Sequence, residues 1–214
     1  MNRILLTMGM MMLSMSAFAV DGVVLINQST VMSAGGFPYT ISQPGSYRLS
    51  GNLVIPGDTN GVQISASDVT LDLNGFNIQC SVTLPNQVSC IKILGSAHNI
   101  TVRNGAISGT LLGGGFTNTA NNLVGVYAAS GLSMIEDLKI EFPASIYPVF
   151  GSFRTVVADS GTVLRQNILI GGAFIRCPSI FVENSVRPAS GQSTFDFGGT
   201  GCAGYGNVGI SALP

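Results

Sequence analysis

Between residues 68 and 78 the chain reads DVTLDLNGFNI, in which apolar Val69 and Leu71 alternate with polar Thr70 and Asp72, Asn74-Gly75 follows, and Phe76 and Ile78 resume the apolar pattern. Alternation at period two marks a half-buried strand, and Asn-Gly marks a sharp change of chain direction. NITVRNGAISG repeats the arrangement about thirty residues on, with Ile100 and Val102 against Thr101 and Arg103, then Asn104-Gly105 and Ile107. Weaker copies follow: MIEDLKI places Asp137 where the Asn stood, RQNILI places Asn167 there, and IFVENSV places Asn184 there. A second set of short β-branched runs precedes these, as GVQIS from Gly61, CIKIL from Cys90, GVYAA from Gly125 and FRTVV from Phe153. Each repeat thus supplies a short strand, a polar turn, another strand and an Asn-centred corner.

Two architectures fit this pattern, a stack of repeats or a sandwich of hairpins. A hairpin needs a return strand of matching length after Asn-Gly, and FNI and AIS are short for that role, which favours the stack. Register follows from alternation: Val69, Leu71, Ile100, Val102, Ile135, Ile180 and Val182 are expected inside, and Thr70, Thr101 and Arg103 outside. The first copy carries one residue more before its Asn than the second, and a slip of one residue reverses the two faces.

VTLDLNGFNI, ITVRNGAISG and FVENSV together resemble the right-handed parallel β-helix proteins of the pectin-lyase-like class, over residues 61–186. The resemblance implies an all-β solenoid of about seven or eight short coils, with aliphatic side chains in inward columns. It also implies a corner ladder of side-chain amides, for which Asn74, Asn104, Asn167 and Asn184 are the candidates and Asp137 the departure; for any one Asn, tolerance of left-handed turn geometry is the plainer explanation. The expected organisation is one domain: residues 20–60 as an N-terminal cap, 61–186 as coils, and the Gly-rich 187–214 as a C-terminal cap. LLGGGFTNTANN, residues 111–122, reads as a surface loop.

The first 19 residues place a positive Arg3 before an apolar run and end in Ala17-Phe18-Ala19, the pattern of a secretory signal peptide cleaved after Ala19. Secretion or a periplasmic location is the expectation. The apolar run is shorter than the roughly 18 residues of a span, and no later stretch is long and apolar enough for one. Loss of Arg3 leaves 8 basic against 10 acidic residues, a net charge of −2. With no Lys/Arg cluster, a nucleic-acid footprint is missing. Four cysteines in an exported chain argue for two disulfides. Three pairings are possible, and local spacing favours Cys80 with Cys90, closing a Pro85-containing insertion, and Cys177 with Cys202, tying back the tail. Zinc is the rival, but the spacing is wrong and His98 has no neighbouring ligand cluster; no metal or cofactor set is present.

Catalytic sets of polysaccharide-cleaving relatives transfer poorly. Polygalacturonase-like hydrolysis needs paired carboxylates around the scissile bond, yet the chain has no Asp-Asp pair and its one His98 lacks the flanking glycine of that class. Pectate-lyase-like chemistry is matched only by Arg187-Pro188, and pectin-methylesterase-like chemistry only by FDFGGTG, in a chain without Trp. One outward row is a candidate ligand-facing strip: Asp72, Arg103, Glu136 and Glu183, with Gln166 between the last two. Its plainer reading is an ion-pair ladder worth up to about 1 kcal/mol per pair. Tyr127, Tyr147 and Tyr205 are the aromatics suited to stacking on sugar rings. Two functions follow: an exported non-catalytic structural or adhesive protein binding polysaccharide or cell-surface glycan, or a divergent lyase or glycoside hydrolase. Convergence of three or more of Asp72, Arg103, Glu136, Lys139, Glu141, Asp159 and Arg165 in one groove would favour the second.

Overall fold

The structure, a computed structural model, describes residues 22–83, 87–112, 123–129, 131–142, 153–187 and 195–209. The signal-like residues 1–19, Tyr147 and residues 113–122 of the expected loop lie outside that set. Leu111 and Leu112 end a strand instead, Ile100–Leu112.

After strand Val23–Ile26 and helix Gln28–Ser33 the chain alternates between two sheets. Seven strands follow one another in chain order across the first: Tyr39–Ile41, Val62–Ile64, Val88–Ile93, Leu123–Ala128, Phe153–Ala158, Gly172–Arg176 and Phe195–Gly198. Between them the chain adds to a twelve-stranded sheet, whose main run is Val23–Ile26, Gly45–Leu49, Val69–Asp72, Ile100–Leu112, Ser133–Glu141, Val163–Arg165, Ile180–Val182 and Ala203–Tyr205. A branch of that sheet joins Leu53–Val54 and Asn77–Thr83 to the later half of Ile100–Leu112, and Ile168–Ile170 and Ser185–Arg187 to that of Ser133–Glu141. All strand pairings among the described residues are parallel. A tight turn reverses the chain and cannot join parallel partners. Asn74-Gly75 therefore does not close a hairpin: the strands on either side of it pair with neighbouring repeats, not with each other.

Three inward columns meet in one core. Leu71, Val102, Ile135, Leu164 and Phe181 form the first; Ile78, Ile107, Ile140, Leu169 and Val186 the second; Ile64, Ile93, Ala128, Ala158 and Ile175 the third. All fifteen are buried. Burial of Val69, Leu71, Ile100, Val102 and Ile135 matches the alternation, and Arg103 is exposed. Ile180 and Val182 do not follow it. Phe181 is fully buried between them, while Ile180 is 48% exposed and Val182 half-buried, so the last register is shifted by one. No single period carries the stack: equivalent residues lie 31 apart at Ser67 and His98 but 17 apart at Asn167 and Asn184.

Left-handed backbone marks the corners. One column of positive φ runs through Asn74, Asn104, Asp137, Gln166 and Glu183, and a second through Asp68, Asn99, Leu132 and Gly161, just before the strands of the main run. Asn and Asp tolerate this conformation through short polar side chains, whereas Leu, Gln and Glu adopt it at a cost of about 1–2 kcal/mol each. The amide ladder lies one position beyond the first column in the late repeats. Asn167 Nδ2 donates to Asn184 Oδ1 at 2.9 Å, and Asn184 Nδ2 donates to Asn207 Oδ1 at 3.0 Å. Asn74 and Asn104 are outside it: their amides donate to Leu49 O and to Asp72 Oδ1.

Stacking starts before residue 61, because Tyr39–Ile41, Gly45–Leu49 and Leu53–Val54 already pair with the next repeat. What precedes them is the short helix, whose Asn27 side chain accepts from Thr30 N at 3.0 Å while Thr30 Oγ1 accepts from Asn27 N at 2.8 Å. At the other end, Phe195–Gly198 and Ala203–Tyr205 extend both sheets into the Gly-rich segment.

Both disulfides form as the spacing suggests, Cys80 with Cys90 and Cys177 with Cys202, with Cα atoms 5.7 and 5.0 Å apart. Non-reducing peptide mapping is expected to return these two linked pairs. Reduction is expected to lower stability by on the order of 3 kcal/mol per bridge, through the larger unfolded ensemble. Four free thiols in the folded protein would contradict the assignment.

Candidate functional site

On the outer face of the twelve-stranded sheet one register position reads Arg48, Asp72, Arg103, Glu136, Arg165, Val182, Tyr205 along successive strands. Asp72, Arg103 and Glu136 share this row as expected. Gln166 and Glu183 do not: they occupy the adjacent left-handed corner, where Gln166 Nε2 donates to Glu183 Oε2 at 3.1 Å. The cause is the same one-residue shift, since alignment on Asn167 and Asn184 uses a position one later than Asn104.

The row is built as a ladder of alternating charge. Asp72 Oδ2 lies 3.8 Å from Arg48 Nε and 3.7 Å from Arg103 Nη2, while its Oδ1 accepts from Asn74 N at 2.7 Å and Asn104 Nδ2 at 3.0 Å. Glu136 pairs with Arg165. Both residues are buried although they occupy the outward row, and arginines of the flanking strands pair with their carboxylates. Engaged on both oxygens, Asp72 holds the Asn74 corner rather than presenting a free acid or base.

The other ionisable candidates stand elsewhere. Lys139 and Glu141 pair at 2.7 Å on the later half of Ser133–Glu141, and Asp159 pairs with Arg176 at 3.1 Å beyond the seven-stranded sheet. His98 Nδ1 shares a 2.7 Å hydrogen bond with Ser67 Oγ on an exposed turn. Of the seven groups, three or more of which in one groove would favour a reaction centre, four, Asp72, Arg103, Glu136 and Arg165, come together, and they do so along the outward row as the ion-pair ladder.

A concave site lies instead on the outer face of the seven-stranded sheet. Parallel pairing puts Gln63 beside Lys92 and Lys92 beside Tyr127. The Lys92 ammonium sits 5.9 Å from the centre of the Tyr127 ring, within cation–π range. Around them Asn60, Gln87, Ser89 and Ala129 complete a groove of about 310 Å³. Asn60 Oδ1 accepts from Ser89 N at 2.9 Å, which fixes this amide at the rim. The groove therefore combines a ring face, a cation and several amide and hydroxyl groups, the chemistry that meets sugar faces and hydroxyls. Sequence reasoning singled out Tyr127 but missed Asn60, Gln87 and Lys92. The signal was available: Gln63, Lys92 and Tyr127 each stand third in GVQIS, CIKIL and GVYAA.

Near the N-terminal end, burial raises the Tyr47 phenol above its ordinary value of 10, and neighbouring Tyr39 adds to the shift. Its hydroxyl donates to Gln43 O at 2.9 Å. The folded state favours the neutral phenol, so this contribution is complete below pH 10 and is lost as pH climbs through the raised value. Tyr47→Phe is expected to flatten the alkaline fall in stability, read from denaturant midpoints taken on either side of pH 10.

Among the described residues no three His, Cys, Asp or Glu side chains gather so as to hold a metal ion, and no helix is long and apolar enough to cross a membrane. Comparison of the chain with protein-family models, curated proteins and solved structures finds no match.

Proposed function

We propose that this chain is an exported, non-catalytic, right-handed parallel β-helix protein of pectin-lyase-like architecture that binds surface or extracellular carbohydrate. Three parallel columns around one core support the solenoid, and right-handedness is the form taken by about 98% of parallel crossover connections. Two disulfides and the Arg3 to Ala19 leader pattern support export to an oxidising compartment. The observation that carries the binding role is the groove of Tyr127, Lys92, Asn60 and Gln87 on one flank. The lack of catalysis is supported by the opposite row, where Asp72 and Glu136 are spent in ion pairs and corner hydrogen bonds.

A glycan array combined with a reducing-sugar release assay tests both halves. Binding without release is expected, and Tyr127→Ala is expected to weaken it by about tenfold, the worth of roughly 1.4 kcal/mol of ring contact. Release of reducing ends by the wild-type protein would instead establish a hydrolase or lyase, and binding unaffected by Tyr127→Ala would place the glycan elsewhere.

A further inference from the structure

Among the described residues, the strand ladders join each repeat to its neighbours, and they do not join the two sheets within one repeat. Asn77–Thr83 pairs with Leu53–Val54 and Ile100–Leu112, while Val88–Ile93 pairs with Val62–Ile64 and Leu123–Ala128. Each strand is thereby set against the repeats before and after it, not against the other strand of its own repeat. Cys80 and Cys90 close that corner covalently, from Asn77–Thr83 to Val88–Ile93, and both are fully buried.

The bridge belongs to this repeat alone. In the next one, register places Gly109 opposite Cys80 and Gly125 opposite Cys90. There Phe142 fills the corner instead, since a Cβ on Gly109 would come within 2.6 Å of its buried ring. In the preceding repeat, a Cβ on Gly61 would sit 2.2 Å from the Cys90 carbonyl oxygen, so the two backbones touch. The turn through residues 58–61 also grips the chain on both sides of the bridge. On one side Asp58 N donates to Ser81 O at 3.1 Å and Asp58 Oδ1 accepts from Thr83 N at 2.6 Å. On the other, Gly61 N donates to Ser89 O and Asn60 Oδ1 accepts from Ser89 N, both at 2.9 Å.

These contacts converge on the groove, because Gln87, Ser89 and Lys92, which line it, stand within three residues of Cys90. We infer that the Cys80–Cys90 disulfide is a positioning element of this groove: it holds Gln87, Ser89 and Lys92 in place against Tyr127, and its loss weakens ligand binding while the coils stay stacked. The inference rests on the binding role proposed above for the Tyr127 groove. A groove already in its bound shape loses none of its contact energy to ordering, so a loosened rim shows as lost affinity. Full burial of both cysteines makes the bridge a fixed part of the site rather than a redox-sensitive one.

The test compares the wild-type protein with the double variant Cys80→Ala, Cys90→Ala. The control is Cys177→Ala, Cys202→Ala, whose bridge follows the strand three places further along the same sheet. Amide exchange at Gly61 and Ser89 reads the rim without any ligand. Relative to the core amides of Val102 and Leu164 it is expected to quicken by about tenfold or more in the first variant, and to stay unchanged in the control. Affinity for an oligosaccharide that the wild-type protein binds on the array is expected to fall by about tenfold in the first variant alone. If that variant does not fold, Gly61→Ala keeps both bridges, displaces the Cys90 carbonyl, and is expected to give the same two changes, with exchange read at Ser89. Local quickening in a protein that binds no glycan would support the positioning and remove the proposed function. Unchanged exchange at Ser89, quickening shared by the whole stack, an equal effect of the control, or binding as tight as wild type would each overturn the inference.

Discussion

Phe181→Ala is expected to destabilise the protein by about 3–5 kcal/mol, while Ile180→Ala and Val182→Ala on either side of it cost about 1 kcal/mol or less. Phe181 is among the largest fully buried side chains and closes the column Leu71, Val102, Ile135, Leu164. Its removal forfeits aromatic burial and leaves a cavity that parallel strands, fixed by hydrogen bonds on both sides, cannot collapse to fill. Ile180 is 48% exposed, so truncation there returns little buried area to water. Val102→Ala serves as an internal standard at about 1–3 kcal/mol. The comparison is of urea midpoints with both disulfides intact. Equal losses at Ile180 and Phe181 would mean that the register is wrong.

The same three residues explain how far the sequence could be read. In VTLDLNG and ITVRNG the apolar positions alternate with Thr, Asp and Arg, so the inward face declares itself; Val69, Leu71, Ile100 and Val102 are buried accordingly. In IFVENSV, Ile180, Phe181 and Val182 are all apolar, and alternation says nothing about which face is which. The register then hung on Asn184, and Asn serves two different purposes here. Asn74 and Asn104 sit at exposed corners with positive φ, a conformation they tolerate locally. Asn167 and Asn184 sit one position later, buried, with Gln166 and Glu183 taking the strained corner in their place. One letter with two physical roles shifted the late repeats by a residue. The second column of corners was overlooked although Asp68, Asn99 and Gly161 are turn residues; of its four positions Leu132 alone breaks that signal. Disulfides were legible because each links positions that the local pattern already brings close. The Tyr127 groove was half legible, since its residues come from three repeats and converge only through the parallel register.

Asn184→Ala is expected to be as damaging as the loss of a core aromatic, at about 3–5 kcal/mol, although it removes no hydrophobic group. Asn184 is buried and uses its whole amide. Its Oδ1 accepts from Asn167 N at 3.1 Å and Asn167 Nδ2 at 2.9 Å; its Nδ2 donates to Leu164 O and to Asn207 Oδ1, both at 3.0 Å. Truncation strands the Asn167 N–H and the Leu164 carbonyl away from water, and each buried unsatisfied group costs about 1–3 kcal/mol. Asn207 keeps two bonds, because its Oδ1 also accepts from Asn184 N and its Nδ2 donates to Phe181 O. Asn184→Asp preserves the acceptor but turns a carboxylate oxygen toward Leu164 O and Asn207 Oδ1, so at neutral pH it is expected to cost at least as much as alanine. Asn104→Ala provides the contrast. That side chain is exposed and gives up one hydrogen bond to Asp72 and some tolerance of positive φ, together about 1–2 kcal/mol. Denaturation midpoints rank the three variants, and amide exchange at Asn167 and Leu138, the latter donating to Asn167 Oδ1 at 3.1 Å, reports whether the ladder opens locally. A loss at Asn184 no greater than at Asn104 would mean that the buried amides add nothing beyond the turn they follow.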